Sequence, residues 1–427
     1  MTLRPAGYRT RLIDREMEVM LRSFGAVSVE GLKWCGKTWT SRNHANTEFS
    51  LADPSNGYNN RRIAKIDTEY VLSGDSPHLI DEWQEVPQIW DAVRFETDKS
   101  GEKGRFILCG SSAPNRDGIM HSGAGRIGTL RMRTMSLFES GDSEGKVSLR
   151  SMFAGGFKNT AVTPRKLRHL IDLTVRGGWP GSLNLSTEEA GRVNKDYIRR
   201  LSEEDIARTD GIRRDPGKVA RVMRSLARNE STTVSNSRIK SDIKEFEDDT
   251  IDAETVAEYR RLLERLFVTE DQPAFSPNVR SSVRVGKSPK RHFTDPSLAT
   301  AALDLTSDML INDLNTYGFM FEAMCERDLQ IYAQANGGKL YHYRDSGGRE
   351  IDAVVEMPGG LWGAFEIKLG TDSTDKAAEN LIRIKDVFEN GYGTKPPGVL
   401  CVVSGLETHA YKREDGVYVV PLCALKD

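Results

Sequence analysis

Gly31-Leu32-Lys33-Trp34-Cys35-Gly36-Lys37-Thr38 carries two glycines with four residues between them, followed by Lys-Thr, which is the spacing of a Walker A phosphate loop. The stretch before it, Phe24 to Val29 (FGAVSV), reads as a short buried strand, and Trp39 to Asn46 opens a helix. Strand, loop and helix in that order are the context the motif requires. A glycine-rich turn with an exposed lysine is the plainer reading, and the flanking elements argue against it. In such a loop the backbone N–H groups and the helix N-terminus wrap phosphates. Lys37 neutralises the β and γ oxygens, and the Thr38 hydroxyl ligates Mg²⁺. Gly31, Gly36, Lys37 and Thr38 are therefore expected to bind a nucleoside triphosphate.

A second piece lies downstream. Pro77-His78-Leu79-Ile80-Asp81-Glu82 is an apolar strand ending in two carboxylates, with Asp81 placed for Mg²⁺ and Glu82 placed to orient or deprotonate an attacking water. The bland alternative is an acidic pair capping the next helix. Arg105 to Cys109 (RFILC) reads as another buried strand, and Ser111 just after it stands where a hydroxyl would sense a γ-phosphate. Arg126 precedes the alternating segment Ile127 to Met135 (IGTLRMRTM), so it would sit before a fifth strand, from where an arginine finger reaches a neighbouring subunit's phosphate. A solvated arginine at a strand start is the alternative.

The 427 residues suffice for roughly two to four domains of about 100–200 residues each. Net charge is −2, so the chain is no polycation and any nucleic-acid surface must be local. Mean hydropathy is −0.49 and no run approaches the roughly 18 apolar residues of a membrane helix, so a cytoplasmic protein without a membrane partner is expected. Cys35, Cys109, Cys325, Cys401 and Cys423 are scattered without metal spacing and read as reduced thiols.

Alternating strand and helix patterns predict a parallel sheet wrapped by helices over residues 1–154. A helical lid is expected over 155–215 and a small helical, winged-helix-like region over 216–296. Within the latter, Val256, Tyr259, Leu262, Leu263 and Leu266 form one apolar stripe after an Asp252 cap. Ser276 to His292 holds Arg280, Arg284, Lys287, Lys290 and Arg291 with no Asp or Glu, which reads as a basic hairpin wing facing DNA. A solvated strip, or one facing the acidic run at 245–249, is the alternative, and composition does not separate DNA from RNA.

Over 297–427 a second constellation appears. Arg349 to Val355 and Ala364 to Leu369 read as paired strands around the turn Met357-Pro358-Gly359-Gly360. Period two then lets Asp352, Glu366 and Lys368 converge. Two carboxylates and a lysine at that spacing resemble the core of the PD-(D/E)XK nucleases. That resemblance implies catalytic Asp352, Glu366 and Lys368, with Asp352 and Glu366 holding Mg²⁺ and Glu322 from the preceding helix as an additional ligand. An amphipathic hairpin with its polar face in solvent is the alternative, and fold and cleavage are separate claims.

The ordered set of Walker A, the Asp-Glu strand, Gly110-Ser111-Ser112, Gly125-Arg126, Gly177-Gly178-Trp179-Pro180, Phe293-Thr294-Asp295-Pro296 and the two final strands resembles the bacterial and archaeal predicted ATPases. Those proteins join an AAA-type domain to a C-terminal domain of unknown function. The resemblance implies an α/β architecture: a P-loop NTPase parallel sheet, a helical lid, a winged-helix-like region and a restriction-endonuclease-like C-terminal domain. It implies ATP rather than GTP. The Gly-x-Pro turn resembles that of the signal-transducing branch of AAA-like ATPases, where Pro180 would contact the adenine or the lid. The sequence departs from the family pattern at Lys33, Trp34 and Cys35, which would either alter nucleotide affinity or require Trp34 to point outward. The expected function is an ATPase whose nucleotide state controls a nuclease-like module acting on double-stranded DNA, with homo-oligomerisation through Arg126. The alternative is a nucleotide-gated module that recognises a protein partner without nucleic-acid chemistry.

Overall fold

The computed structural model describes residues 3–110, 118–206, 212, 214–244, 251–345, 347–391 and 394–427. The chain folds as two compact units. The first holds Met1–Thr134 with Arg208–Ile212 and Arg265–Phe267, and the second holds Met135–Ala207, Arg213–Glu264 and Val268–Asp427.

In the first unit β1 (Ala26–Gly31), β2 (Thr47–Ser50), β3 (His78–Asp81), β4 (Phe106–Cys109) and β5 (Ile127–Met132) form one parallel sheet in the order β2-β3-β4-β1-β5. β3 and β4 are buried at every position, as strands covered on both faces must be. Helices α1 (Asp14–Ser23), α2 (Lys37–His44) and α3 (Gln88–Ser100) lie against this sheet. Trp83 and Trp90 stack with centroids 4.9 Å apart in a core shared with Ile80, Phe106 and Leu108. From β1 the chain crosses to the far edge at β2 and returns through β3 and β4, and β5 then lies on the other side of β1. That reversal of strand order makes the carboxyl edge of the sheet the place for a ligand, and Gly31, Asp81 and Cys109 all end there.

The second unit is built on a seven-stranded sheet in the order β7-β12-β13-β11-β10-β9-β8. After β6 (Val147–Ser148) and β7 (Thr160–Ala161) come the helices α4 (Leu167–Arg176), α5 (Thr187–Arg200), α6 (Pro216–Arg228), α7 (Asn236–Lys244) and α8 (Ala253–Arg265). Val256, Tyr259, Leu262 and Leu263 form the buried stripe of α8. Beyond it, antiparallel bridges join Thr269 to Phe293 and Gln272 to Lys290, and a third joins Thr232 to Arg291. The segment between these arms does not form the expected hairpin wing. It carries a short helix, Val283–Gly286, and Ala274 pairs with His342 on the sheet edge.

Next come α9 (Leu314–Ala335), the antiparallel meander β8 (Lys339–Arg344), β9 (Glu350–Met357) and β10 (Leu361–Lys368), then α10 (Thr374–Asp386) and β11 (Val399–Ser404), which runs parallel to β10. Ala377, Ala378, Leu381 and Ile384 of α10 cover the sheet face bearing Val354, Ala364 and Val402. β12 (His409–Lys412) and β13 (Tyr418–Pro421) complete the sheet, with β7 on the outer edge of β12. β14 (Leu425–Lys426) pairs with β6. The boundary expected at residue 154 therefore falls between residues 134 and 135 instead, because the segment bearing β6 is held by the far end of the chain. No helix among the described residues is long and apolar enough to cross a membrane.

A buried ion-pair junction ties this unit together. Arg327 donates to Asp295 at 3.1 Å and to Asp328 at 3.0 and 2.7 Å, and Asp328 also accepts the Leu137 N–H at 2.9 Å. Asp295 in turn accepts the Gly178 N–H at 3.0 Å. Removing one partner of a buried pair leaves an uncompensated charge, which costs about 3–5 kcal/mol. Arg327→Ala is expected to destabilise the second unit by that amount, read as a lowered urea midpoint for its transition. An unchanged midpoint would refute the role given to this junction.

Candidate functional site

The phosphate loop is shaped by close backbone approach. A Cβ on Gly31 would lie 2.1 Å from the Met132 carbonyl oxygen, so only glycine lets β1 turn beside β5 there. Gly36 takes the left-handed position that opens α2, with φ 103°. Trp34 also has positive φ, 67°, and its indole is exposed while Leu32 and Cys35 on either side are buried. The tryptophan thus occupies the loop without filling its interior. Arg11, which no sequence motif marks, fixes the loop from behind: its guanidinium donates to the carbonyls of Cys35 (3.0 Å), Arg133 (2.9 Å) and Thr134 (3.1 Å). Asp14 binds the Tyr8 hydroxyl at 2.7 Å and the His44 ring at 2.9 Å, securing the far end of α2.

Lys37 is buried and its ammonium donates to the Leu32 carbonyl at 2.8 Å. The Thr38 hydroxyl donates to Asp81 Oδ1 at 3.2 Å, so the two oxygens expected on Mg²⁺ meet at the ends of β3 and the loop. Burial raises the Asp81 carboxyl above its ordinary range, with neighbouring Glu82 adding repulsion. A hydroxyl and a desolvated carboxylate are hard oxygen donors that a divalent ion would satisfy, so this pair fits Mg²⁺. Glu82 sits at φ 55°, ψ 41°, an uncommon conformation for a non-glycine residue, and Gln84 Nε2 donates to its Oε2. The αL backbone turns Glu82 out of the strand direction, and the Gln84 amide fixes its carboxylate.

Arg126 lies at the amino end of β5, about 20 Å of strand away from the loop beside Met132, and pairs with Asp98 at 2.7 Å. It is thus remote from its own chain's phosphate loop. Ser111 lies outside the described residues. Pro180 begins a short 3₁₀ turn in the second unit, where Trp179 is buried and donates to Ser297 Oγ at 2.9 Å. A Cβ on Gly178 would lie 2.1 Å from the Met135 carbonyl, so the backbone before Pro180 packs closely there.

In the second unit the meander register sets Ala364 against Val354 and Phe365 against Ala353, which brings Glu366 beside Asp352. Asp352 Oδ2 accepts the Ile367 N–H at 2.8 Å and the Lys368 ammonium at 3.1 Å, and Lys368 also meets Glu366 Oε2 at 2.7 Å. Asn380 donates to Glu366 Oε1 at 2.9 Å. Burial, reinforced by Asp352, pushes the Glu366 carboxyl up to about 7. Lys368 stays above the usual lysine range because the two carboxylates outweigh its own burial.

Glu322 behaves differently from the ligand role expected for it. Its Oε1 accepts from Lys290 at 2.6 Å, and Lys290 also donates to Glu326 Oε1 and to the Asp352 carbonyl, each at 2.9 Å. Burial pushes Glu322 up to about 7 despite that lysine. Behind Glu326 both ring nitrogens of His292 face oxygens, Glu230 Oε1 at 3.0 Å and Gln272 Oε1 at 3.1 Å. Burial holds Glu230 far above and His292 far below their ordinary values, and both Glu230 oxygens also accept the Phe293 N–H. Among the described residues no three His, Cys, Asp or Glu side chains are grouped to hold a metal ion. Glu322 is thus taken by Lys290, whereas Asp352 and Glu366 share Lys368, the lysine expected beside them.

The basic strip read as a DNA-facing wing is largely consumed internally. Arg284 pairs with Glu356 at 2.8 Å, Arg291 pairs with Asp271, and Lys290 is buried. On α8, Arg260 is likewise taken by Asp271 at 2.8 Å. Composition alone shows cations, not the partners that neutralise them.

Comparison with known proteins agrees with the first unit. Residues 23–140 match the AAA domain family AAA_14, 167–309 match a domain of unknown function (DUF8612), and 317–425 match another (DUF4143). The chain is 24% identical over 346 residues to uncharacterized proteins of Mycobacterium tuberculosis and Mycobacterium bovis, covering 80% of this chain and 70% of each relative. Among solved structures it is similar to a Walker-type ATPase of Pyrococcus abyssi (12% identity, TM-score 0.44, 70% of this chain and 97% of that one). It is also similar to the replication initiator DnaA bound to AMPPCP and single-stranded DNA (14% identity, TM-score 0.28, 59% and 86%). The loop geometry and the match of residues 23–140 to the AAA domain family support an AAA-type P-loop, nucleotide-binding fold for the first unit.

Gly31→Ala is expected to displace the loop from β5 and to weaken ATP binding at least tenfold, measured by fluorescent-nucleotide titration. Binding within twofold of the parent would show that the close approach to Met132 is dispensable.

Proposed function

We propose that this chain is a Mg²⁺-dependent ATPase whose nucleotide state governs a C-terminal module of nuclease-like topology. The observation that carries the reading is the meeting of Thr38 and Asp81 at 3.2 Å, beside Glu82 and the buried Lys37. On nucleotide binding the Lys37 ammonium leaves the Leu32 carbonyl for the β and γ oxygens, and the loop's N–H groups hold the phosphates. Thr38 and Asp81 would hold Mg²⁺, which supplies charge neutralisation at those oxygens. Glu82 orients a water in line with the γ-phosphorus and accepts its proton as the bond to the β–γ bridging oxygen breaks. Ser111 senses the γ-phosphate, Pro180 contacts the adenine or the lid, and Arg126 serves the phosphate of a neighbouring copy.

The order α9, β8-β9-β10 meander, α10 and parallel β11, with Asp352, Glu366 and Lys368 together at its centre, supports the nuclease-like reading of residues 297–427. The three helices and bridged arms of 216–296 support the winged-helix-like reading. Double-stranded DNA is the partner proposed for these parts. A second reading is favoured by Lys290, Arg284 and Arg291 being tied up in internal pairs: a nucleotide-gated module that recognises a protein without cutting nucleic acid.

Mg²⁺-dependent ATP hydrolysis by the purified chain, with and without duplex DNA, separates these readings, with DNA integrity followed in the same tubes. Glu82→Gln is expected to retain ATP binding and to lower kcat by roughly 10²–10⁴-fold, the usual contribution of a positioned base. Hydrolysis unchanged in that variant would remove Glu82 from the mechanism. Stimulation by DNA favours the first reading. ATP-dependent assembly without DNA affinity favours the second.

A further inference from the structure

Lys290 belongs by sequence to a basic hairpin wing, yet in the folded chain it is one of the most deeply buried charged side chains of the second unit, 1% exposed. Its stem is fixed by two backbone hydrogen bonds of 2.9 Å between Lys290 and Gln272, one in each direction. The ammonium has three protons to donate, and three acceptors surround it: Glu322 Oε1, Glu326 Oε1 and the Asp352 carbonyl, at 2.6, 2.9 and 2.9 Å. Glu322 and Glu326 stand one helical turn apart on α9, so both carboxylates reach the same point. Two carboxylates and a main-chain carbonyl are the donors a hard divalent cation takes. Here the same donors close on a lysine. The other carboxylate pair, Asp352 and Glu366, has its own lysine in Lys368.

We propose that Lys290 is the resident cation of this acidic centre: its ammonium stands where a metal ion would bind, and Glu322 is a lysine partner rather than a metal ligand. The winged-helix-like region thereby supplies a part of the C-terminal centre, because Lys290 arrives on an arm that bridges to Gln272 directly and to Thr232 through Arg291. The Glu322 side of the centre is closed to divalent cations while Lys290 is present. A two-metal clamp on a phosphodiester, which needs both ions within one group of carboxylates, is excluded from the centre in this form.

The test is Mn²⁺ binding to the full chain without nucleotide or DNA, counted by electron paramagnetic resonance. All proteins carry Asp81→Asn, so that the phosphate-loop carboxylate does not contribute and the result is independent of ATPase activity. Glu322→Gln is expected to leave Mn²⁺ binding unchanged within twofold. Lys290→Met is expected to gain a Mn²⁺ site that is lost again in Lys290→Met/Glu322→Gln, and to recover thermal stability when Mn²⁺ is added, as ligand linkage requires. Mn²⁺ binding weakened tenfold or more by Glu322→Gln alone would make Glu322 a metal ligand and overturn the proposal, as would a folded Lys290→Met with no gain. Should Lys290→Met fail to fold, the Glu322→Gln comparison decides alone, since that variant keeps Lys290 paired with Glu326.

Discussion

A cation inside a protein has to be met by anions and carbonyls from whatever segments can reach it, and two such cations organise the second unit. Arg327 gathers Asp295 and Asp328, and through them the N–H groups of Gly178 and Leu137. Lys290 gathers Glu322, Glu326 and the Asp352 carbonyl. Each junction collects residues from at least three separate stretches of chain. Leaving either charge unpaired would cost several kcal/mol, comparable with the whole stability of many domains. What reads in sequence as a lid, a wing and a nuclease-like domain is therefore physically one body, cross-braced at two interior points.

The first unit is governed by a different constraint, the nearness of backbone to backbone. Gly31 passes the Met132 carbonyl at a distance no side chain allows, and Arg11 gathers the loose carbonyls of the loop and of the residues after β5. Trp34 and Glu82 hold positive φ within this frame. Conformations of that kind persist only where the surroundings over-determine them, and both occur beside the residues that would meet phosphate and water.

Local signals are legible in the sequence and long-range ones are not. The phosphate loop and the strand ending at Asp81 can be read because spacing and flanking pattern fix both within a few residues. Asp352, Glu366 and Lys368 can be brought together on paper because period two along paired strands is geometry. Lys290 misleads because a run of cations shows no sign of carboxylates more than thirty residues away on α9. Arg11 and Arg327 carry no signal at all, since what distinguishes them is whose carbonyls and carboxylates they reach. A boundary at 154 looks natural only until β6 finds its partner at Leu425 and Lys426.

That last pairing has a bearing on how the protein is made. Translation at about 5–20 residues per second separates residue 147 from residue 425 by on the order of tens of seconds. Through that interval the strand partner of Val147 and Ser148 does not yet exist, nor does the Leu425 carbonyl that Ser143 Oγ binds at 2.6 Å. Most of the ATPase domain, by contrast, has already emerged. A nascent chain would thus have the five strands of the first sheet in hand while the second unit still lacks β14, leaving the β6 segment exposed to chaperones and proteases until that strand arrives.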